Sequence, residues 1–277
     1  MKTTHKLIIG DCTRMQEIGE NSIHLIITSP PYFNAPFDYK GLFGSYAEFL
    51  EMIEKFAKES YRVLQNGRIA VINIDDMLVD GEKFPIVADT IKLFQKAGFR
   101  YRDRLIWKKP DGYTRISRRS GVLLQNPYPM YYYPDNILES ILIFQKGRFE
   151  YGSISQDVRR ESQLNTQEFL DNKWYMTLWQ ITNVLPNSIL EKGIAAFPDE
   201  LPYRFIKLYS YLNEIILDPF VGSGTTMKMA RALGRNSIGF DVKEDLIPII
   251  KKKTGFENQT ILSDETDKFE VIVRQSG

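Results

Sequence analysis

Short apolar runs alternate with longer amphipathic stretches along most of the chain. Residues 6–10 (KLIIG) and 24–28 (HLIIT) read as buried strands. Residues 46–64 place Phe49, Leu50, Ile53, Phe56, Ala57, Tyr61 and Leu64 at helical spacing. Residues 68–74 (RIAVINI) predict a strand, and 84–97 a second helix closed by Gly98 as its C′ residue. Strands follow at 101–107 and 140–145. After a gap the alternation resumes with a helix over 201–211, a strand over 214–217, a helix over 225–233 and a strand over 236–240. Residues 269–273 fit either a short last strand or a loose tail. Strands separated by helices argue for a parallel sheet covered on both faces. Residues 148–192 break the pattern. They are rich in Gln, Asn, Ser and Arg, with scattered aromatics and no clear period, and read as an inserted module between flanking halves at 1–147 and 193–277.

Two strand ends carry chemistry. The first is LIITSPPYFN at 25–34, where Ser29-Pro30-Pro31-Tyr32 closes a β-branched run. Proline cannot donate a ladder hydrogen bond, so the strand stops there. The bland reading is a proline-rich strand terminus. The second is IILDPFVGSGTT at 215–226, where a strand ends at Asp218, a glycine-rich turn follows, and a helix begins near Thr225. Ligands of doubly wound sheets sit at the carboxyl ends of strands. Gly222 and Gly224 let backbone approach a ligand closely, and N–H groups at a helix start favour an anionic group. The turn is neither G-x-G-x-x-G nor a P-loop. With Asp218 before it, an amino-acid moiety fits. Asp241 lies one strand later, where an acid typically accepts from ribose hydroxyls. Amino acid plus ribose makes S-adenosylmethionine the natural ligand.

Composition adds limits. The chain has 277 residues, 43% hydrophobic and 26% charged, which is globular. A formal net charge of +1 means that any basic surface is local. Cys12 is the single cysteine, which excludes an intrachain disulfide, and two histidines, His5 and His24, do not suggest zinc, so no metal is expected. No apolar run approaches the roughly 20 residues of a membrane span. No signal-peptide core opens the chain, so a soluble, intracellular (cytoplasmic) protein is expected. The best candidate for a local basic surface is WKKPDGYTRISRR, with Lys108, Lys109, Arg115, Arg118 and Arg119. It reads as a loop that contacts phosphates or, more blandly, as a solvated surface.

SPPY followed much later by DPFVGSGTT resembles the β group of DNA amino-methyltransferases, with the likeness covering nearly the whole chain. The resemblance implies an α/β, Rossmann-like S-adenosylmethionine-dependent methyltransferase fold. It implies a mixed seven-stranded sheet with one antiparallel strand and a permuted motif order, the catalytic half preceding the cofactor half. IIGDC is similar to the segment whose acid contacts the cofactor adenine, which places Asp11 there with Cys12 beside it. AAFPDELPYRFIKLYS is similar to the segment enclosing the methionine end, with Phe197 and Pro198. The glycine turn contributes Asp218, Phe220, Gly222, Ser223, Gly224 and Thr225.

At the catalytic end, Ser29 Oγ and the Pro30 carbonyl would accept the protons of the target amine. Pro31 stiffens the turn, and Tyr32, with Phe33 as a lesser wall, would stack on a flipped base. Residues 148–192 would read double-stranded DNA through Arg159, Arg160, Gln163 and Asn165. Cys12 is not a nucleophile, because carbon-5 methylation of cytosine uses a Pro-Cys pair. A restriction endonuclease partner and a homodimer are both compatible with the family. Ser before Pro-Pro-Tyr leans to N4 of cytosine. N6 of adenine is the alternative. RNA or protein-glutamine methylation and an inactive DNA-binding subunit are weaker ones.

Overall fold

The computed structural model describes residues 2–35, 40–110, 120–182, 197–257 and 267–274. The first strands, β1 (Thr4–Ile9) and β2 (Ile23–Thr28), are followed by α1 (Tyr46–Val63). Ser45 Oγ caps α1 by accepting from Glu48 N at 3.2 Å, and Glu48 reaches back to Gly44 N at 2.8 Å, a close relative of the capping box. Then come β3 (Leu64–Ile74), a small hairpin of β4 (Met77–Val79) and β5 (Glu82–Phe84), α2 (Ile86–Lys96) and β6 (Arg100–Lys108). The hairpin occupies part of the expected second helix. Asp80 and Gly81, both at positive φ, make the Asp-Gly turn that favours tight hairpins, and Pro85 delays the helix.

After β6 come α3 (Ser120–Gln125), β7 (Leu138–Gln145), α4 (Gln156–Glu161), α5 (Thr166–Asp171) and β8 (Leu178–Gln180). The remaining elements are α6 (Glu200–Tyr209), β9 (Ile215–Asp218), α7 (Thr225–Ala232), β10 (Asn236–Asp241), α8 (Ile247–Thr254) and β11 (Lys268–Val273).

Nine strands form one sheet in the order β11-β1-β10-β9-β2-β3-β7-β6-β8. The expected count of seven is therefore too low. The edge strands β11, parallel to β1, and β8, parallel to β6, extend it on both sides. Among the described strands of this sheet, β7 alone pairs antiparallel with both neighbours, β3 and β6. Residues on alternate sides of each strand feed different layers. Ile26, Ala70, Ile72 and Phe144 pack beneath Phe49, Phe56 and Phe94 of α1 and α2. Leu25, Ile27, Val71 and Ile143 pack beneath Phe205 and Ile206 of α6. No helix among the described residues is long and apolar enough to cross a membrane.

The expected module at 148–192 does not stand apart where it is described. Trp179 of β8 is 2% exposed in the core and packs on Phe205, and Lys207 of α6 bonds Glu168 of α5 at 2.7 Å. A three-residue strand with one inward side chain shows no period in sequence.

Candidate active site

The direction of strand addition reverses between β9 and β2. A crevice opens outside the carboxyl ends of strands at such a point. There a cavity of about 590 Å³ is lined by Gly10, Asp11 and Cys12 after β1, Ser29 and Pro31 after β2, Phe197 before α6, Phe220, Gly222, Ser223 and Thr225 after β9, and Asp241 at the end of β10. Segments far apart in sequence thus meet at one opening. Its volume lies in the usual range of about 300–1,000 Å³ for small-molecule sites.

The glycine turn is held from behind. Asp218 is 1% exposed and accepts from Thr28 Oγ1 at 2.6 Å and from Phe220 N at 3.2 Å. It does not line the cavity, so its carboxylate fastens the end of β9 to the end of β2 instead of facing a ligand. Burial pushes its pKa up to about 6, against the pull of these hydrogen bonds. Gly222 and Gly224 sit at φ 52° and 90°, where a side chain is strained. Gly222 N donates to Asp241 Oδ2 at 3.2 Å and Lys243 N to Oδ1 at 3.0 Å, which fixes the Asp241 carboxylate at the cavity wall. Burial raises the Asp241 pKa as well. Asp11 spends its oxygens on Thr13 N and Thr13 Oγ1 at 2.8 and 2.7 Å. Burial first, then Asp11, pushes the Cys12 thiol up, so it stays neutral and unreactive. Gly224 and Pro198 lie behind the wall and not on it.

Sequence reasoning missed the devices that steady this wall. Arg274, after β11, donates to the carbonyls of Asp11 and Arg14 and to both oxygens of Glu17, so the last strand locks the turn after β1. Lys40–Phe43 and Met52 close the cavity from the side. Asn34, at φ 40°, holds Phe43 through both its backbone groups at 2.8 and 2.9 Å.

The other half of the crevice is a side-chain network. Tyr32 Oη donates to Glu139 Oε2 of β7 at 2.9 Å, and Asn73 Nδ2 of β3 donates to the same oxygen at 2.6 Å. Lys109 pairs with the other oxygen of Glu139. Asn73 Nδ2 lies 3.3 Å from Tyr32 Oη and 3.5 Å from Ser29 Oγ, the latter a marginal contact. Burial, with the Glu139 carboxylate, drives the Tyr32 phenol well above its ordinary pKa, so it remains a donor. Neither Tyr32 nor Pro30 lines the cavity. The only sequence signal for Asn73 is one amide inside the apolar strand RIAVINI.

Three sequence expectations change here. Phe33 is 5% exposed among the rings of Phe43, Tyr46, Phe49 and Phe84, and so is core instead of pocket wall. Lys108 ends β6, and the Lys109 side chain, 13% exposed, is ion-paired to Glu139, so these two belong to a strand end and not to a free basic loop. Arg115, Arg118 and Arg119 lie outside the described residues. Lastly, β7 runs backwards and delivers the following chain to the amino edge of the sheet. Phe149 stacks on Tyr211, and Ser162 Oγ accepts from Leu212 N at 2.9 Å, both just before β9. Arg159, Arg160 and Gln163 are therefore separated from Ser29 by the length of the strands, roughly 15–20 Å. Asn165 caps α5 by accepting from Gln167 N and Glu168 N. None of these four is placed to read a base at Ser29.

A mixed, doubly wound sheet with a cofactor-sized cavity at its switch point and a Ser-Pro-Pro-Tyr strand end beside it defines an α/β methyltransferase. The chain belongs to the DNA methylase family of N6/N4 type, whose model matches residues 23–252. It is similar to the type II methyltransferase M.MjaI of Methanocaldococcus jannaschii, at 33% identity over 96% of each chain. It is also similar to the type II methyltransferase M.MthZI of Methanothermobacter thermautotrophicus, at 31% identity over 100% of this chain and 85% of that one. Among solved structures, a Thermus thermophilus protein described as a DNA modification methylase and complexed with S-adenosyl-L-methionine superposes with a TM-score of 0.75. It is 26% identical and covers 99% of this chain and 100% of that one.

Proposed function

We propose that the protein transfers a methyl group from S-adenosylmethionine to the N4 amine of a cytosine flipped out of double-stranded DNA. The enzyme class, an S-adenosylmethionine-dependent DNA amino-methyltransferase, follows from the family. The observation that supports this reading is the meeting of Ser29 and Pro31 with Gly222, Ser223 and Asp241 on one cavity, and the serine before Pro-Pro-Tyr supports the choice of cytosine. The residues fit the cofactor: the fixed carboxylate of Asp241 suits ribose hydroxyls, and the glycine turn before α7 suits the amino-acid end. When bound, the cofactor supplies the electrophilic methyl.

The protein's own work is positioning and electrostatic. An exocyclic amine is a poor nucleophile because its lone pair is delocalised into the ring. Ser29 Oγ and the Pro30 carbonyl accept its two protons and favour a more tetrahedral nitrogen. Pro30 and Pro31 hold that carbonyl stiffly. The Tyr32 ring, tethered through its hydroxyl to Glu139, offers the flipped base a stacking face. Serine in place of a carboxylate before Pro-Pro-Tyr favours cytosine. Nucleosides from duplex DNA treated with purified protein and isotope-labelled cofactor, separated by mass spectrometry, test this. Labelled N4-methylcytosine is expected. Labelled N6-methyladenine alone would overturn the choice of base and leave the class intact.

A further inference from the structure

The turn between α3 and β7 exposes apolar surface that no core duty explains. Tyr128 is 65%, Met130 90% and Tyr132 70% exposed. Met130 also stands at φ 75°, in the left-handed region that long side chains avoid. Such strain persists only where the surroundings impose it, and it clusters at functional sites. Here Tyr128 N donates to Asn126 O at 2.7 Å and Tyr131 N to Tyr128 O at 3.4 Å, which close the turn and push Met130 outward.

The stem of this turn is tied to the catalytic end. Lys109 N donates to Ile137 O at 2.9 Å, and Asn136 bonds Asp75 just beyond β3. Shortly after Asn136, Glu139 holds Tyr32. The chain from Met130 to Asn136 is short, so the Met130 backbone lies within about 21 Å of that anchor. The stem of the turn leaves from the carboxyl edge, the side on which Ser29 opens, and not from the amino edge where Arg159 and Arg160 lie.

A base taken out of a duplex leaves a gap in the stack, and DNA-deforming proteins fill such gaps with Phe, Leu, Ile, Met or Pro. We propose that Met130, flanked by Tyr128 and Tyr132, is a wedge that enters the duplex and occupies the place of the extruded target base. This rests on the reading of the protein as a base-flipping DNA methyltransferase. Glycine is the natural residue at φ 75°, so Met130→Gly relieves the backbone while deleting the wedge.

The test is single-turnover methylation by the full chain, wild type and Met130→Gly, on two duplexes. In one the target is paired. In the other it faces an abasic site and is already easy to extrude. On the paired duplex the variant is expected to be slower by at least about tenfold, the scale of one lost stacking contact. Opposite the abasic site the two proteins should agree within about twofold. Equal rates on the paired duplex would overturn the wedge, as would a defect of the same size on both duplexes. A change of sedimentation from dimer to monomer in Met130→Asp without DNA would also overturn it, by making this surface a contact between copies. If the wild type methylates neither duplex while binding cofactor, the reading beneath the inference fails, and the inference with it.

Discussion

The two halves of the crevice are built differently. On the side of β1, β9 and β10 the wall is set mostly by backbone: a glycine turn at positive φ, with the buried Asp218 carboxylate behind it and the half-buried Asp241 carboxylate on it, their bonds going mainly to nearby N–H groups. On the side of β2, β3 and β7 the wall is held by side chains, with Tyr32, Asn73 and Lys109 converging on Glu139. A backbone wall suits a cofactor of constant shape that must bind and leave each turnover. A side-chain network suits a target that arrives with a large polymer, because its members can be repositioned together. The halves meet at Thr28 and Asp218, which join the two motif-bearing strands.

The largest expected effect separates the halves. Glu139→Ala removes one carboxylate shared by three donors. Breaking a buried ion pair in this way costs about 3–5 kcal/mol. Denaturant melts should show that loss, and methyl transfer should fall with it, while calorimetric affinity for S-adenosylmethionine in the folded fraction stays within about twofold. Equal losses of cofactor affinity and of transfer would mean that the crevice is one unit. Glu139→Gln, which keeps the shape, should lie between.

Next in size is the pH dependence of Asp218. Its folded pKa of about 6 lies above the value of about 3.9 for an unfolded chain. Between these values the folded state holds the proton more tightly. Its contribution to stability is therefore complete below about pH 4 and is lost as pH rises through 6. The whole shift is worth about 3 kcal/mol. Asp218→Asn copies the protonated form and can still accept from Thr28 and Phe220. The stability difference between variant and wild type should climb in the variant's favour from about pH 4 to about pH 7 and then level off. A difference that stays flat across this range would mean that the carboxylate is ionised throughout.

A smaller effect belongs to the cofactor wall alone. Asp241→Asn keeps the shape but weakens a charge-assisted acceptor, a change worth about 1.5 kcal/mol or roughly tenfold in affinity. Calorimetry with S-adenosylmethionine reads it, and duplex binding without cofactor should not move. Matching losses in both titrations would assign Asp241 to the scaffold of the whole crevice.

The same contrast explains what could be read from the chain. DPFVGSGTT and Asp241 are local patterns whose geometry follows from strand, turn and helix start, so the cavity wall was legible apart from the inward turn of Asp218. SPPY was legible as a strand end. Its network was not, because Asn73 and Glu139 lie 44 and 110 residues from Ser29 and meet it only through the pairing of β2, β3 and β7. The reversal of β7 also defeated the placement of Arg159 and Arg160. An antiparallel strand reads like a parallel one in periodicity, yet it sends the next segment to the opposite edge. The pattern misses β8, and leaves 269–273 open between a strand and a tail, for another reason: each has few inward residues, and edge strands need little apolar pattern.

The smallest effect sharpens the comparison most. Tyr32→Phe deletes one donor to Glu139 and keeps the ring. Asn73 and Lys109 still hold the carboxylate, so stability should fall by only about 1 kcal/mol. Tyr32→Ala deletes the ring too, a stacking face worth about 1–3 kcal/mol. The hydroxyl acts through position, so the Tyr32→Phe defect in single-turnover transfer should be the same whether the target base is matched or mispaired. In its proposed role the ring holds a base that has already left the stack, and its loss weighs most when extrusion is costly. The Tyr32→Ala defect should therefore shrink on a mispaired target towards that of Tyr32→Phe. Ser29→Ala, which removes the proposed acceptor at the reacting nitrogen, should show no such relief. If mispairing rescued Ser29→Ala as fully as Tyr32→Ala, the serine would belong to base capture and not to the transfer step. The line between the two halves of the crevice would then have to be redrawn on its cofactor side.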